Sequence, residues 1–121
     1  MKSANNKTGN IGEKVAANYL LKNGYAIIDK NFRIKLGEID IIATKNNVIH
    51  FIEVKTRSST FKGFPYEQVN SKKLRKITKV TEYYSKIKKL TEFKHSIDIV
   101  SIELDNQYSN HVIKIYENVT N

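Results

Sequence analysis

Apolar residues recur along this 121-residue chain at two periods, and the switches between them mark its elements. Val15, Ala16, Tyr19 and Leu20 fall at helical steps. Asn10 and Glu13 stand ahead of them as a capping box and Gly24 follows as a stop, so a helix is predicted over residues 11–23. Residues 25–34 read as a strand, Gly37 breaks it, and residues 37–57 read as two more strands folded about Asn46-Asn47. The stretch 58–68 holds Gly63 and the chain's one proline, Pro65, and reads as a loop. Leu74, Ile77, Val80, Tyr84 and Ile87 then mark an amphipathic helix over 71–89, capped by Asn70 or Ser71. Residues 95–104 and 111–118 alternate as two last strands around a polar turn.

Helix, three strands, helix and two strands describe an α/β fold with a central sheet of about five strands flanked by helices. The connection through the second helix is long enough for a parallel crossover, which makes a mixed sheet. One domain is expected over residues 11–121, after a disordered tail at 1–10.

The central segment reads GEIDIIATKNNVIHFIEVKTR. A turn centred on Asn46-Asn47 makes Asp40 face Glu53, Glu38 face Lys55 and Ile42 face Phe51, all on one side. Ile39, Ile41, Ala43, His50, Ile52 and Val54 point to the other, core side. Directly facing residues have β-carbons about 4.5–5.5 Å apart, where like charges are destabilising. Two compensations fit: a divalent cation between the carboxylates, or a shared proton. Lys55, two residues beyond Glu53 on the same face, favours the cation, since it could direct a water there. Magnesium suits such a site best, with manganese as substitute, because it takes oxygen ligands and keeps several waters. The bland alternative is a solvent-facing sheet surface on which Glu38 and Lys55 form an ordinary cross-strand pair.

Composition narrows the picture. The chain has no cysteine, which excludes disulfides and thiolate metal sites, and its three histidines lack close ligand spacing. It has neither an 18-residue apolar run nor a signal-like start, so a cytoplasmic protein with no membrane partner is expected. The net charge of +9 suits a polyanionic partner, although a lysine-rich composition alone could produce it. The distribution is more telling. Lys72, Lys73, Arg75, Lys76, Lys79, Lys86, Lys88 and Lys89 oppose only Glu82 between residues 71 and 89. The second helix therefore carries most of the charge and is the candidate nucleic-acid surface, with Arg57 as a further phosphate contact or a cap on the sheet edge.

A carboxylate-bearing strand followed by Glu-X-Lys on the next, here Asp40 and Glu53-Val54-Lys55, resembles the PD-(D/E)XK nuclease superfamily. GEKVAANYLLKNGY, NFRIKLGEIDIIA, FIEVKTR, the basic helix and SIDIV together resemble the small bacterial YraN-like family over residues 12–116. That resemblance implies a restriction-endonuclease-like fold related to Holliday-junction resolvases, and a magnesium- or manganese-dependent endonuclease acting on DNA, branched DNA included. It implies Asp40 and Glu53 as metal ligands, Lys55 as the residue activating the water, Glu13 as an active-site carboxylate from the first helix and Gln68 as a fifth member. It also raises a homodimer, since resolvases cut two strands as symmetric pairs. Glu13 has its capping-box explanation, and Asp98, mid-strand in SIDIV, is expected to need buried partners in a structural role. A nucleic-acid-binding module of the same fold without chemistry is the competing reading, and an RNA substrate stays open.

Overall fold

The computed structural model describes residues 7–58, 70–105 and 111–120. Its elements follow the predicted order: α1 (Lys7–Lys22), β1 (Ala26–Ile34), β2 (Gly37–Lys45), β3 (Val48–Ser58), α2 (Ser71–Ile87), β4 (Lys94–Leu104) and β5 (His111–Tyr116). The strands form one sheet in the order β1-β2-β3-β4-β5. Neighbours run antiparallel except β3 and β4, which are parallel because α2 carries the chain back to the starting edge. This mixed five-stranded sheet flanked by two helices is consistent with a restriction-endonuclease-like fold.

Each helix covers one face of the sheet. Ala16, Ala17 and Leu20 of α1 pack on Ile41, Ala43, Ile52, Val54, Val100, Ile102 and Leu104. Ile77, Val80 and Tyr84 of α2 pack on Ile39, Ile42, Ile49, Phe51 and Ile97. The expectation of one core side is therefore corrected. Phe51 and Ile42 are fully buried under α2, so β2 and β3 are central strands covered on both faces. On α2 itself Ile87 is exposed, while Thr81 and Ser85 are buried instead.

The first helix also departs from its predicted start. It begins at Lys7, taking in four residues of the expected tail, so Asn10 is not its cap and Glu13 lies inside it rather than in a capping box. The anchor explains the extension. Ile11 packs against the core and Gly12 sits directly on Thr56 of β3, and a turn held by tertiary contacts propagates toward the N-terminus without a new nucleation cost. A β-carbon at Gly12 would collide with the hydroxyl, methyl and β-carbon of Thr56. Gly12→Ala should therefore destabilise the fold by roughly 1–3 kcal/mol despite alanine's better helix propensity. Urea unfolding checks this, and a stabilised variant would show that α1 does not sit this close to β3.

Candidate metal and nucleic-acid site

The β2–β3 hairpin has the predicted turn. Asn46 and Asn47 both take positive φ, 51° and 65°, as a two-residue type I′ turn requires. The register is the predicted one from Lys45↔Val48 through Ile41↔Ile52. One step later it opens. Ile39 packs under α2 with Ile42, whereas Ile41 packs under α1, so the two-residue alternation fails at Asp40 and Ile39 is on the face opposite to that expected. Across from Asp40 on β1, between the pairs Lys30↔Ile41 and Phe32↔Ile39, Asn31 adopts a left-handed conformation (φ 52°).

The opened pleat gives the Asp40 side chain a backbone task. Its Oδ2 accepts the Val54 amide at 2.7 Å, where a β2 carbonyl would otherwise continue the ladder. Asp40 is 1% exposed and Glu53 7%, and the two buried side chains are close enough for Asp40 to influence the ionisation of Glu53. Asp40 and Glu53 thus share one buried neighbourhood, although the pairing of the two strands stops at Ile41↔Ile52. Among the described residues Lys55 pairs with Glu53, its Nζ 3.7 Å from Oε2, and not with Glu38 as the solvent-facing alternative would have it.

Lys73, expected on the phosphate-binding face with the rest of the basic cluster, instead turns inward here: its ammonium lies 2.7 Å from Glu53 Oε2, closer than that of Lys55. Asn70 fixes this geometry by capping α2, its Oδ1 accepting the Lys73 amide at 2.9 Å. From the first turn Lys73 then shares the inward stripe of Ile77, Val80 and Tyr84. The signal was present in the sequence: Lys73 precedes Ile77 by one helical turn and so belongs to the core-facing side. Lys72, Arg75, Lys76 and Lys79 are exposed, as a phosphate-binding face requires.

Electrostatics divide the two lysines. Burial pushes the Glu53 carboxyl up, but its hydrogen bond with Asp40 and the Lys73 and Lys55 ammoniums outweigh this and hold it below the usual glutamate range. Burial also pushes Lys55 down, reinforced by its contact with Lys73, and the carboxylates of Glu53 and Asp40 do not restore it. Lys73 goes the other way. Burial lowers it, yet the bond to Glu53 raises it further, so Lys73 is the more firmly protonated of the pair.

The other candidates are placed differently. Glu13 lies on α1, on the helix turn against Thr56 and on the sheet face opposite α2; among the described residues no three His, Cys, Asp or Glu side chains assemble as a metal site. Arg57 donates to Glu103 Oε2 at 3.2 Å across the parallel pair Arg57↔Glu103 and its side chain is largely covered, so it ties β3 to β4 rather than standing open to phosphate. Gln68 lies outside the described residues. Asp98 has the structural surroundings expected of it: buried, it accepts from His50 Nδ1 at 2.6 Å, from the Ser96 hydroxyl and from the Asn118 amide at 3.0 Å.

Asp40 and Glu53 fit a hard divalent cation by their chemistry: two buried carboxylates in one neighbourhood, with oxygen donors only. A pair of protein ligands is too few for a closed cage but suits magnesium or manganese, which keep waters and complete their shell on phosphate oxygens.

Comparison with known proteins supports a single family. The family model described as "Uncharacterised protein family UPF0102" matches residues 12–102. A UPF0102 protein of Clostridium tetani is 44% identical over 115 residues, covering 95% of this chain and 94% of its own. One from Caldanaerobacter subterraneus is 45% identical, covering 87% of each chain, and one from Clostridium acetobutylicum is 42% identical, covering 98% of this chain and 97% of its own. No helix among the described residues is long and apolar enough to cross a membrane.

Proposed function

The chain belongs to the uncharacterised protein family UPF0102, and from the site it carries we propose that it is a metal-dependent nuclease of the PD-(D/E)XK type, hydrolysing phosphodiester bonds in DNA, branched DNA in particular. The observation behind this reading is the burial of two carboxylates on adjacent strands, Asp40 held by the Val54 amide and Glu53 with Lys55 beside it, under the first turn of a basic helix. Asp40 and Glu53 would hold magnesium or manganese, which when bound supplies positive charge to offset that developing on the scissile phosphate. The Val54 amide fixes Asp40 for this task by holding one of its oxygens. Lys55, on the same face and short of its ordinary basicity, holds and orients the attacking water. The exposed Lys72, Arg75, Lys76 and Lys79 bind phosphates flanking the cut and confer a steep salt dependence.

A second reading is favoured by one observation. The Lys73 ammonium already neutralises Glu53, so the cluster is satisfied without a metal, as a binding module without chemistry would need. Cleavage decides between them. Labelled four-way junction, flap, linear DNA and RNA, incubated with the purified protein and magnesium or manganese, should yield products from a DNA substrate. Those products should disappear with chelator and with Glu53→Ala. Binding without products at any metal concentration would leave the non-catalytic module.

A further inference from the structure

We propose that Lys73 is the built-in counter-ion of the carboxylate pair, displaced from Glu53 by the incoming divalent cation and thereby released to a phosphate oxygen of the bound nucleic acid. The proposal rests on the reading of Asp40 and Glu53 as metal ligands. Its argument begins with burial: a carboxylate 7% exposed needs a neutralising partner, and Lys73 is the nearer of the two that Glu53 has. Both ammoniums approach the same oxygen, Oε2. A divalent ion ligated by Glu53 would sit at about 2.0–2.1 Å from a ligand oxygen if it is magnesium. It therefore competes directly with an ammonium at 2.7 Å for the same charge.

One of the two lysines has to yield, and geometry selects Lys73. Lys55 stands on the central strand β3, paired along its length with β4, and its side chain is 22% exposed. Lys73 reaches in from a helix end with its side chain 40% exposed, so its flexible stem has an open route to solvent. Its backbone need not move, because the Asn70 cap holds it. The freed ammonium would emerge among the exposed Lys72, Arg75 and Lys76, where a phosphate chain following α2 would pass. Metal and nucleic acid would then strengthen one another's binding by the same factor, since the cation frees the lysine that the phosphate takes.

Manganese binding, read from the free-ion electron paramagnetic resonance signal, tests this without any cleavage. Without nucleic acid, Lys73→Met should bind manganese about tenfold more tightly than the native protein, within the range usual for coupled sites. Lys22→Met, at an exposed lysine in the last turn of α1, should match the native protein. A non-cleavable phosphorothioate duplex should tighten manganese binding to the native protein, and Lys73→Met should lose most of that gain. Unchanged or weaker manganese binding by folded Lys73→Met would overturn the displacement while sparing the metal site. Absence of manganese binding by every form at millimolar concentration would instead overturn the nuclease reading. Should Lys73→Met not fold, the native protein still decides: exchange of the Lys73 ammonium protons with water, read by nitrogen-15 NMR, should speed up as magnesium saturates the site, and unchanged exchange refutes the displacement.

Discussion

Asp40→Asn and Lys55→Met should each remove magnesium-dependent cleavage while leaving metal-free DNA binding through α2 nearly intact. The asparagine keeps an oxygen for the Val54 amide, so the hairpin retains its shape and only the negative charge is lost. Without that charge Glu53 is the single carboxylate left at the pair, and cleavage should fall below detection. Methionine at position 55 preserves most of the stem but removes the ammonium near Glu53. Loss of a residue that positions or deprotonates the attacking water lowers rates by about 10²–10⁴-fold. Single-turnover cleavage with saturating metal measures the chemical step, and fluorescence anisotropy on the same duplex measures binding. If either variant cleaves within tenfold of the native rate, the assignment of these residues is wrong.

Asp98→Ala should cost about 3–5 kcal/mol of stability, the usual penalty for removing one partner from a buried charged network. The aspartate is 1% exposed and gathers three donors from separate parts of the chain: His50 on β3, Ser96 on its own strand and the Asn118 amide beyond β5. Its removal strands all three in a site shared with the Tyr25 ring, whose centroid lies 5.1 Å from that of His50. Asp98→Asn keeps volume and one acceptor and should lose less. Urea denaturation gives both values; a shift under 1 kcal/mol for alanine would mean that water takes over the donors. Because domains of this size are stable by about 5–15 kcal/mol, the alanine variant should unfold near physiological temperature or be recovered poorly.

Periodicity made most of the fold legible. The strand and helix stripes predicted seven elements in the observed order, and Asn46-Asn47 set the hairpin register because two adjacent asparagines tolerate the positive φ of a tight turn. That register brought Asp40 toward Glu53 on paper; in the structure the pairing stops one step short, at Ile41↔Ile52, and Asp40 turns its side chain to the Val54 amide instead. Helix α1 was placed late because its start depends on Gly12 meeting Thr56, a contact between residues far apart in the chain. The break in alternation at Asp40 was hidden for a similar reason. Nothing local to residues 39–41 reveals that Asn31 of β1, opposite them, takes a left-handed conformation.

What the chain's own order of residues determined is local: where strands and helices form, how one hairpin registers, and that eight cations crowd residues 71–89. Periods of two and of three to four residues carry that information, since each depends only on neighbours along the backbone. Which cation enters the site was decided by the tertiary structure. The crossover through α2 makes β4 run parallel to β3 and lays the helix over the face that carries Glu53, turning Lys73 inward while Lys72, Arg75 and Lys76 stay outside. The same packing buries both faces of β2 and β3, and burial is what makes a pair of adjacent carboxylates depend on a positive partner.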